Sequence, residues 1–505
     1  MVNTNKIIFK SILLLSYLII TAVLLFLISS LYSYFNTGAD RSKILHTKIK
    51  KIDQYLPKVT WLEDGNLGRE MNAQTLSEIE SNYLDAWYIK NIAFSTNSKI
   101  GVDAYYTESA RKNIFNIIQA NKKEKITIER TTLSHNPDIF LFSEDGQLVV
   151  LEDKNVVEYK RVFKDNKFIL EITEIANYKV ILLLEDGFWR IRHLVKESVS
   201  EFNKKTKASP PISKTIKGIN YYPQATPWNM FGSDFDIKII LKDFNLIKTA
   251  NLNTIRIFVP YKDFGKAKVS ESKLNKLRKV LDAAEKNDLK VIITLFDFYG
   301  NYEVLDWTLN HRHVEVIVTA FKNHNALLAW DVKNEPNLDF DSRGRQNVIS
   351  WLEQIILLIK SIDKKHAVTI GWSNISSASI LKDKVDLVSF HYYEDKDAFE
   401  ERYTDLKEII KDKPLVLGEF GTTSYRGFWK PFGSSEEKQA RYYKEMQAVF
   451  AKNKIPFISW TLYDFNKIPK EVVGELPWRR NAQEHYGFIN KNGEKKKSFK
   501  YISKH

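Results

Sequence analysis

The stretch LLAWDVKNEP, residues 327–336, begins with an apolar run and carries an acidic residue, Glu335, close to its end. A second stretch, PLVLGEFG at residues 414–421, has the same character and carries Glu419 close to its end. Short apolar runs bounded by turn residues are typical of buried strands. We therefore predict two buried strands that each end in a glutamate.

Other apolar stretches resemble these two, and helical patterns separate most of them. The predicted strands are 216–223, 253–260, 290–297, 327–334, 367–373, 385–392, 414–420 and 457–464. Apolar residues at helical spacing occupy intervals such as 236–250, 271–287, 347–361 and 436–452. This alternation over residues 216–502 indicates an α/β fold, a (β/α)8 TIM barrel whose active site lies at the carboxyl ends of its strands.

The two glutamates then lie at the ends of the fourth and seventh strands, on the same face of the barrel. An apolar strand gains nothing from a carboxylate at its end, but hydrolysis of a glycosidic bond requires two carboxyl groups. Across a barrel mouth they can lie at the roughly 5–5.5 Å that a retaining double displacement needs. Glu419 would attack the anomeric carbon, and Glu335 would protonate the leaving oxygen and then activate water. The alternative is that Asn334-Glu335-Pro336 is only a strand exit and Gly418-Glu419 only a turn.

Residues 216 to about 502 resemble the retaining β-glycosidases of the large (β/α)8 clan, nearest to glycoside hydrolase family 5, which contains cellulases and mannanases. The matching features are Asn-Glu-Pro at 334–336, Gly-Glu-Phe-Gly at 418–421, Arg256 in the second strand, SFHYY at 389–393 and Trp460 in the eighth strand. The resemblance implies that His391 lies near the substrate and that Tyr393 contacts the nucleophile. It also implies that Trp460 stacks under the sugar that carries the anomeric carbon.

Several of these residues have a chemical role that follows from their side chains. Arg256 can hold Glu419 ionised, because a nearby cation lowers the pKa of a carboxyl group. Asn334 can donate to the sugar 2-hydroxyl, an interaction that strengthens in the transition state. Trp460 offers an aromatic face to the C–H surface of a sugar.

Each of these assignments has a structural alternative. Arg256 could be an ordinary buried ion-pair residue, His391 a core histidine with satisfied hydrogen bonds, and Trp460 plain core packing. Tyr392 is adjacent to Tyr393, so a shift of one residue along the strand would exchange their faces.

The sequence departs from the family pattern at the end of the third strand. Many members carry a histidine there, whereas this chain has Asp297 in the stretch TLFDFYGNY. We expect Asp297 to replace the histidine as a contact to a sugar hydroxyl. The departure therefore bears on recognition of the sugar and leaves the predicted chemistry unchanged.

The N-terminal part of the chain begins with an apolar segment. Residues 7–31 contain no charge after Lys10 and are long enough for a transmembrane helix, with no evident cleavage site after them. We predict an uncleaved single-pass anchor with the catalytic domain exported, periplasmic or extracellular; the alternative is a long signal peptide. Basic residues between Arg41 and Lys51 outnumber those before the segment and favour the opposite orientation.

Between this segment and the barrel we predict a basic stalk at 40–71, a small α+β domain at 72–197 and a polar linker at 198–215. The small domain has two helical patterns followed by alternating strands at 125–133, 147–163, 168–184 and 188–195. It resembles the nuclear-transport-factor-2-like domains, whose helices pack on an antiparallel sheet. No residue in it indicates a particular chemistry.

Composition limits the remaining possibilities. The net charge is +14, but the lysines are spread along the chain, so we expect a solvated surface and no nucleic-acid partner. The chain has no cysteine, and His, Asp and Glu do not cluster at ligand spacings, so no metal or other cofactor is expected.

The sequence thus predicts a membrane-anchored retaining glycoside hydrolase that cleaves a β-linked polysaccharide or oligosaccharide, a β-glucan or β-mannan. Two alternatives remain. One is a transglycosylase that acts during polysaccharide export, and the other is a non-catalytic glycan-binding scaffold. The presence of Glu335, Glu419 and Arg256 argues against the scaffold.

Overall fold

The structure is a computed structural model that describes residues 2–36, 54–62, 65–202, 215–427, 431–474 and 476–503. Most of the predicted linker, residues 203–214, and part of the predicted stalk, residues 40–53 and 63–64, lie outside these ranges. The chain divides into two units, Met1–Asp53 and Gln54–His505.

The described part of the first unit is one helix, α1, Val2–Asn36, which contains the predicted anchor at residues 7–31. Among the helices of the described residues, none combines the length and the apolarity needed to cross a membrane. The predicted transmembrane helix is therefore not supported by the structure.

The second unit begins with an α+β region, as predicted. Its helices are α2 (Ala73–Thr96), α3 (Val102–Tyr105) and α4 (Glu108–Lys123). Its strands are β1 (Lys58–Val59), β2 (Ile126–His135), β3 (Pro137–Phe142), β4 (Leu148–Lys164), β5 (Lys167–Glu185) and β6 (Phe188–Glu201). They form one sheet of order β1-β2-β4-β5-β6, with β3 also paired to β4; β1 is parallel to β2, and the other pairs are antiparallel.

Two of these strands are absent from the prediction. Strand β3 begins at Pro137, a residue that cannot donate to a ladder and that argues against a strand in sequence. It is tolerated here because β3 lies off the main strand order and pairs with β4. Strand β1 falls in the predicted stalk, so the described residues between 54 and 71 contribute to the sheet.

The barrel predicted for the C-terminal part is present. Its strands are β7 (Lys217–Asn220), β8 (Thr254–Pro260), β9 (Lys290–Asp297), β10 (Leu327–Asn334), β11 (Ala367–Trp372), β12 (Val388–Tyr392), β13 (Leu415–Phe420) and β14 (Phe457–Ser459). Each strand is parallel to the next, and β14 pairs with β7 to close the barrel. The fold class is therefore confirmed for both the barrel and the α+β region.

The helices around the barrel follow the predicted alternation. They are α5 (Ile237–Thr249), α6 (Glu271–Lys286), α7 (Trp307–Phe321), α8 (Phe340–Arg343), α9 (Arg345–Ile362), α10 (Phe399–Ile410), α11 (Glu436–Asn453), α12 (Lys470–Val473) and α13 (Pro477–Gln483). Short 3₁₀ turns lie at Val304–Asp306, Pro336–Asp339, Ile375–Ser377, Lys396–Ala398 and Phe499–Tyr501.

A small apolar layer is formed by residues on or next to the barrel strands. Its buried members are Ile216, Ile292, Ala329, Ala367, Leu387, Val416 and Ile458. A separate and much larger buried cluster includes strand residues such as Ile255 and Leu417 together with helix residues such as Leu277 and Ile355. This packing fixes the positions of the strand ends that carry the candidate site.

The α+β region packs against helices α7 and α9 of the barrel. Tyr159 on β4 lies against Trp307 with ring centroids 4.3 Å apart. Glu171 on β5 accepts a hydrogen bond from Ser350 on α9, and Gln354 donates to Thr173 at 3.2 Å. The two parts of the second unit therefore share a specific polar and aromatic interface.

Candidate active site

The two predicted catalytic glutamates meet at the carboxyl ends of the barrel strands. Glu335 follows β10, and its N–H donates to the carbonyl of Gly371 at 2.7 Å, while Glu419 lies near the end of β13. One carboxylate oxygen of each lies within 4.8 Å of the other and of a ring nitrogen of His391. Glu335 has a left-handed backbone with φ of 49°, which is uncommon for a residue other than glycine.

Arg256, on the second barrel strand, donates hydrogen bonds to three neighbouring side chains. Its Nε and Nη2 donate to Asp331 at 3.0 and 2.6 Å, and Nη2 also donates to Asn334 at 2.8 Å. Nη1 donates to Asn220 at 3.1 Å. A side chain at Gly371 would place a Cβ 2.7 Å from Nη2, so glycine leaves the room that the guanidinium occupies.

Glu419 is in contact with two of the predicted partners. Tyr393 donates from its hydroxyl to Oε1 at 2.6 Å, and Nη1 of Arg256 lies 3.5 Å from Oε2. Tyr392 points elsewhere and donates to the carbonyl of Asp395 at 2.6 Å. The strand register therefore places Tyr393, and not its neighbour, at the candidate nucleophile.

His391 is completely buried and touches the other glutamate. Its Nδ1 lies 2.8 Å from Oε1 of Glu335 and 3.9 Å from Oε2 of Glu419. Its Nε2 is buried and has no hydrogen-bond partner among the described residues. The family resemblance predicts that His391 lies near the substrate. In the structure its ring contacts Glu335 directly.

Aromatic rings form one side of the site. Trp460 is 5% exposed, and its ring centroid lies 5.7 Å from that of Trp228 and 6.4 Å from those of Tyr222 and Phe258. These rings lie in the same cavity as the two glutamates. They provide the apolar surface that the C–H face of a sugar can contact.

Asp297 lies in the same cavity, at the end of β9, and accepts a hydrogen bond of 3.3 Å from Tyr222. Burial raises the pKa of Asp297 to about 6, although Lys333 and Arg256 act in the opposite direction. Lys333 is itself buried in this cavity and forms an ion pair of 3.3 Å with Asp339. A buried carboxyl and a buried ammonium thus stand beside the predicted catalytic pair.

The eight predicted site residues converge on one cavity of about 550 Å³. Six of them line it: Asp297, Asn334, Glu335, Tyr393, Glu419 and Trp460. Arg256 and His391 do not line it, but each contacts lining residues. None of the eight lies elsewhere in the protein.

The two glutamates differ in proton affinity in the ligand-free protein. Burial and repulsion from Glu335 raise the pKa of Glu419, against the lowering effects of His391, Arg256 and Tyr393. Burial also acts upward on Glu335, but its hydrogen bond to His391 and the charges of His391, Arg256 and Lys333 lower its pKa. A proton held by the pair is therefore favoured on Glu419 when the site holds no sugar.

Glu335, His391 and Glu419 are close enough to hold a metal ion. The expectation of no metal site rested on spacing along the chain, and folding brings these three groups together from distant strands. Arg256 already supplies a positive charge 3.5 Å from Glu419, and this charge disfavours a further cation. The geometry is therefore better suited to carboxylate catalysis.

Several residues of the site were not selected from sequence. Asp331 orients Arg256 and in turn accepts from Thr294 at 2.7 Å and from the N–H of Gly371 at 2.9 Å. Tyr222 and Lys333 line the cavity. Asp331 could have been found as an acidic residue inside an otherwise apolar strand, a position that requires a buried partner.

Comparison with known proteins supports the same assignment. Residues 217–466 match the family described as Cellulase (glycosyl hydrolase family 5). Mannan endo-1,4-beta-mannosidase A of Emericella nidulans is 26% identical over 223 residues, which are 36% of this chain and 57% of that protein. Human beta-glucuronidase is 24% identical over 290 residues, 51% of this chain and 40% of that protein. The matched residues thus span 57% of the length of the first relative and 40% of the length of the second.

Among solved structures, an exo-beta-1,4-mannosidase from an Opitutaceae bacterium superposes with a TM-score of 0.47 and 16% identity, covering 58% of this chain and 59% of that one. The family match extends from the first barrel strand to just beyond the last and includes all eight site residues. The barrel of this chain is a glycoside hydrolase domain of the family-5 type.

Proposed function

We propose that the barrel hydrolyses a β-linked oligosaccharide or polysaccharide with retention of anomeric configuration. The observation that carries this proposal is the separation of the two carboxylates, whose nearest oxygens lie within 4.8 Å. Retaining enzymes place the carboxyl groups about 5–5.5 Å apart, whereas inverting enzymes leave about 6.5–9.5 Å for a water molecule. The short separation favours direct attack by one carboxylate.

In the first step, Glu419 forms a bond to the anomeric carbon while the bond from that carbon to the leaving oxygen breaks. Glu335 gives its proton to the leaving oxygen, so the first product departs as an alcohol. In the second step, Glu335 removes a proton from water, and the oxygen of that water displaces Glu419. The net change is addition of one water across one glycosidic bond.

These roles require the proton of the pair on Glu335, whereas the pKa shifts in the ligand-free protein favour Glu419. A sugar seated against Glu419 brings the electron-poor anomeric carbon beside that carboxyl, which favours its ionised form. Because the two groups are coupled, ionisation of Glu419 makes it easier for Glu335 to hold the proton. Substrate binding is thus part of how the pair reaches its reactive state.

The surrounding residues support the positive charge that develops on the sugar. Tyr393 and Arg256 hold Glu419 in place, and Trp460 provides a face for the ring. Asn334 accepts from Arg256 through Oδ1, so its amide N–H groups remain as donors toward the cavity. A hydrogen bond from this amide to the sugar 2-hydroxyl strengthens in the transition state.

For the substrate we propose a β-1,4-linked mannan or glucan. Relatives over the barrel include mannan endo-1,4-beta-mannosidases, and the matched family is that of the cellulases. The aromatic side of the cavity suits a neutral hexose ring. The beta-glucuronidases among the relatives make an aryl β-glucuronide a necessary second probe.

The test is hydrolysis of a panel of β-1,4-linked manno- and gluco-oligosaccharides, with the first-formed product followed by proton NMR. The expected first product has the β configuration and equilibrates slowly to the α form. Initial appearance of the α form would remove Glu419 from its role as nucleophile. Cleavage of the glucuronide alone would mean that the substrate is an acidic sugar and not a mannan or glucan.

Attachment to a membrane through residues 7–31 and export of the catalytic domain are further parts of the proposal. They are supported by the apolar composition of this segment and by the side chains of α1 described between Leu13 and Ile28, which are largely exposed. A helix that is apolar on all sides needs an apolar environment. Protease added to cells with a permeabilised outer layer should digest the barrel, whereas protection until the inner membrane is broken would contradict export.

A further inference from the structure

A second cavity of about 770 Å³ lies beside the one that holds the glutamates. The two cavities share lining residues, namely Trp228 and the consecutive residues 297–300. The second cavity extends from this shared wall toward Tyr261, Asn301 and Asp306. A substrate chain that occupies the catalytic cavity can therefore extend along this shared wall into the second cavity.

Phe298 is one of the residues that line both cavities. It has a positive φ of 57°, which is rare for a bulky side chain, and it is 53% exposed although it is aromatic. Strained backbone of this kind persists where surrounding structure enforces it and is concentrated at ligand sites. An exposed phenyl ring at the junction offers a stacking surface to a sugar in either cavity.

The rim of the second cavity includes a residue that precedes the α+β region. Gln54 lines it, and Tyr88 on helix α2 donates a hydrogen bond of 3.2 Å to Oε1 of Gln54. This bond occupies the amide oxygen of Gln54 and leaves its NH₂ group as the donor. Nearby, the N–H of Leu56 donates to Thr308 of the barrel at 3.0 Å, which fixes the segment on the barrel.

The second cavity is lined by both positively and negatively charged side chains. Lys262 and Lys266 face the same space as Asp263 and Asp306, and Asn301 donates to Asp306 at 2.6 Å. Donors and acceptors are thus present without a dominant charge. This combination, together with aromatic rings, fits the hydroxyl groups and C–H faces of neutral sugars better than a charged ligand.

We propose that the second cavity binds additional sugar residues of the substrate chain, at a subsite formed jointly by the barrel and the segment held by the α+β region. The inference rests on the proposed function and extends it, because it gives the N-terminal region a role in substrate recognition. Gln54 supplies a hydrogen-bond donor and Phe298 a stacking surface. The protein then binds long β-linked chains in preference to short ones.

The test is binding, so that it does not depend on turnover. Affinities of β-1,4-linked mannobiose, mannohexaose, cellobiose and cellohexaose are measured by calorimetry on the full chain carrying Glu335→Gln, which keeps the side-chain volume. At least one hexasaccharide should bind about tenfold more tightly than its disaccharide. Adding Gln54→Ala or Phe298→Ala should reduce this ratio by about threefold to tenfold.

Gln74→Ala is the matched control, since Gln74 is an exposed glutamine of helix α2 that hydrogen-bonds to Glu78, and it should leave the ratio unchanged. Equal affinities for long and short chains, absence of binding by either hexasaccharide, or a ratio that neither Gln54→Ala nor Phe298→Ala changes would overturn the inference. Failure of the proposed function is a separate result, because it appears as lack of hydrolysis by the unsubstituted protein whatever the binding ratio.

Discussion

The hydroxyl of Tyr393, the residue after strand β12, donates a hydrogen bond of 2.6 Å to Oε1 of Glu419 on the neighbouring strand β13. The adjacent Tyr392 makes a bond of the same length to the carbonyl of Asp395 and does not contact either glutamate. Two neighbouring tyrosines with equal hydrogen-bond lengths thus have different partners. They provide a matched pair for testing the assignment of the nucleophile.

Tyr393→Phe should lower kcat by about 10- to 100-fold, because a hydrogen bond to a charged group contributes about 1.5–3 kcal/mol. The loss follows from a less well positioned Glu419 carboxylate. Steady-state kinetics on a cleaved oligosaccharide measures the effect, and Tyr392→Phe should stay within about twofold of the unsubstituted protein. Equal losses in both variants would mean that the effect is structural.

A part of the fold could be predicted from sequence where the residues that indicate it are close together in the chain. The strand that precedes Glu335 and the strand that carries Glu419 are mostly apolar and short, so their positions and their glutamates could be predicted from sequence. Strand β3 could not be predicted, because Pro137 argues against a strand and its pairing with β4 depends on tertiary context.

The candidate site divides in the same way. Residues within short motifs, such as Asn334 and Glu335, were predictable. The role of Asp331 depends on its contact with Arg256 on another strand, which the sequence alone does not reveal. The cluster of Glu335, His391 and Glu419 likewise joins three strands that are far apart in the chain. Gln54 reaches the second cavity only because the α+β region packs on the barrel.

Removal of the two glutamates should have different consequences for activated substrates. Glu335→Ala and Glu419→Ala should each lower turnover of an oligosaccharide by at least about 10²–10⁴-fold, since each removes a catalytic group. With an aryl glycoside whose leaving group needs no proton, Glu335→Ala should recover much of the first step, and Glu419→Ala should not.

Rapid-mixing measurements of phenol release distinguish these cases. Glu144→Ala, an exposed glutamate of the α+β region, serves as the control and should retain full activity. Recovery of the aryl reaction in Glu419→Ala but not in Glu335→Ala would reverse the two roles.

Replacing Asp297 should change catalytic activity and folding stability in opposite directions. Its pKa is raised to about 6 by burial, so the native state holds a proton between the ordinary pKa of an aspartate and pH 6 that the unfolded state does not. The stability that this gives is complete at low pH and is lost as pH rises through about 6. Asp297→Asn should therefore raise the free energy of unfolding at pH 7, by about 1–3 kcal/mol.

The same substitution should lower kcat/KM, because a carboxylate accepts hydrogen bonds from sugar hydroxyls more strongly than an amide does. In the unsubstituted protein, protonation of Asp297 should lower kcat/KM as pH falls through about 6. Asp297→Asn should remove this decline, while any decline caused by protonation of Glu419 remains. Urea unfolding and pH profiles are the measurements, with Asp103→Asn, an exposed aspartate, as control. An Asp297→Asn protein with unchanged stability and an unchanged profile would contradict a role for this carboxyl in the cavity.

Acid should destabilise the barrel through two buried histidines on helix α7. Burial, with the charge of Arg312, lowers the pKa of His311 to about 3, and burial lowers that of His313 to about 4. Between these values and the ordinary histidine pKa, about 6.5, the unfolded chain binds protons that the native state excludes. Each histidine therefore contributes stability that is present above pH 6.5 and is lost as pH falls, with a slope of about 1.4 kcal/mol per pH unit.

His311→Leu should reduce the dependence of unfolding free energy on pH between about 6 and 4 by the contribution of one histidine, about 1.4 kcal/mol per pH unit. Leucine suits the site because Nε2 of His311 is buried without a hydrogen-bond partner among the described residues, so its loss removes no bond made by that atom. Urea unfolding curves at several pH values measure the slope, with His193→Leu, at an exposed position, as control. A slope that His311→Leu leaves unchanged would mean that His311 is charged in the native protein at these pH values, and that a partner for the imidazolium exists in this part of the fold.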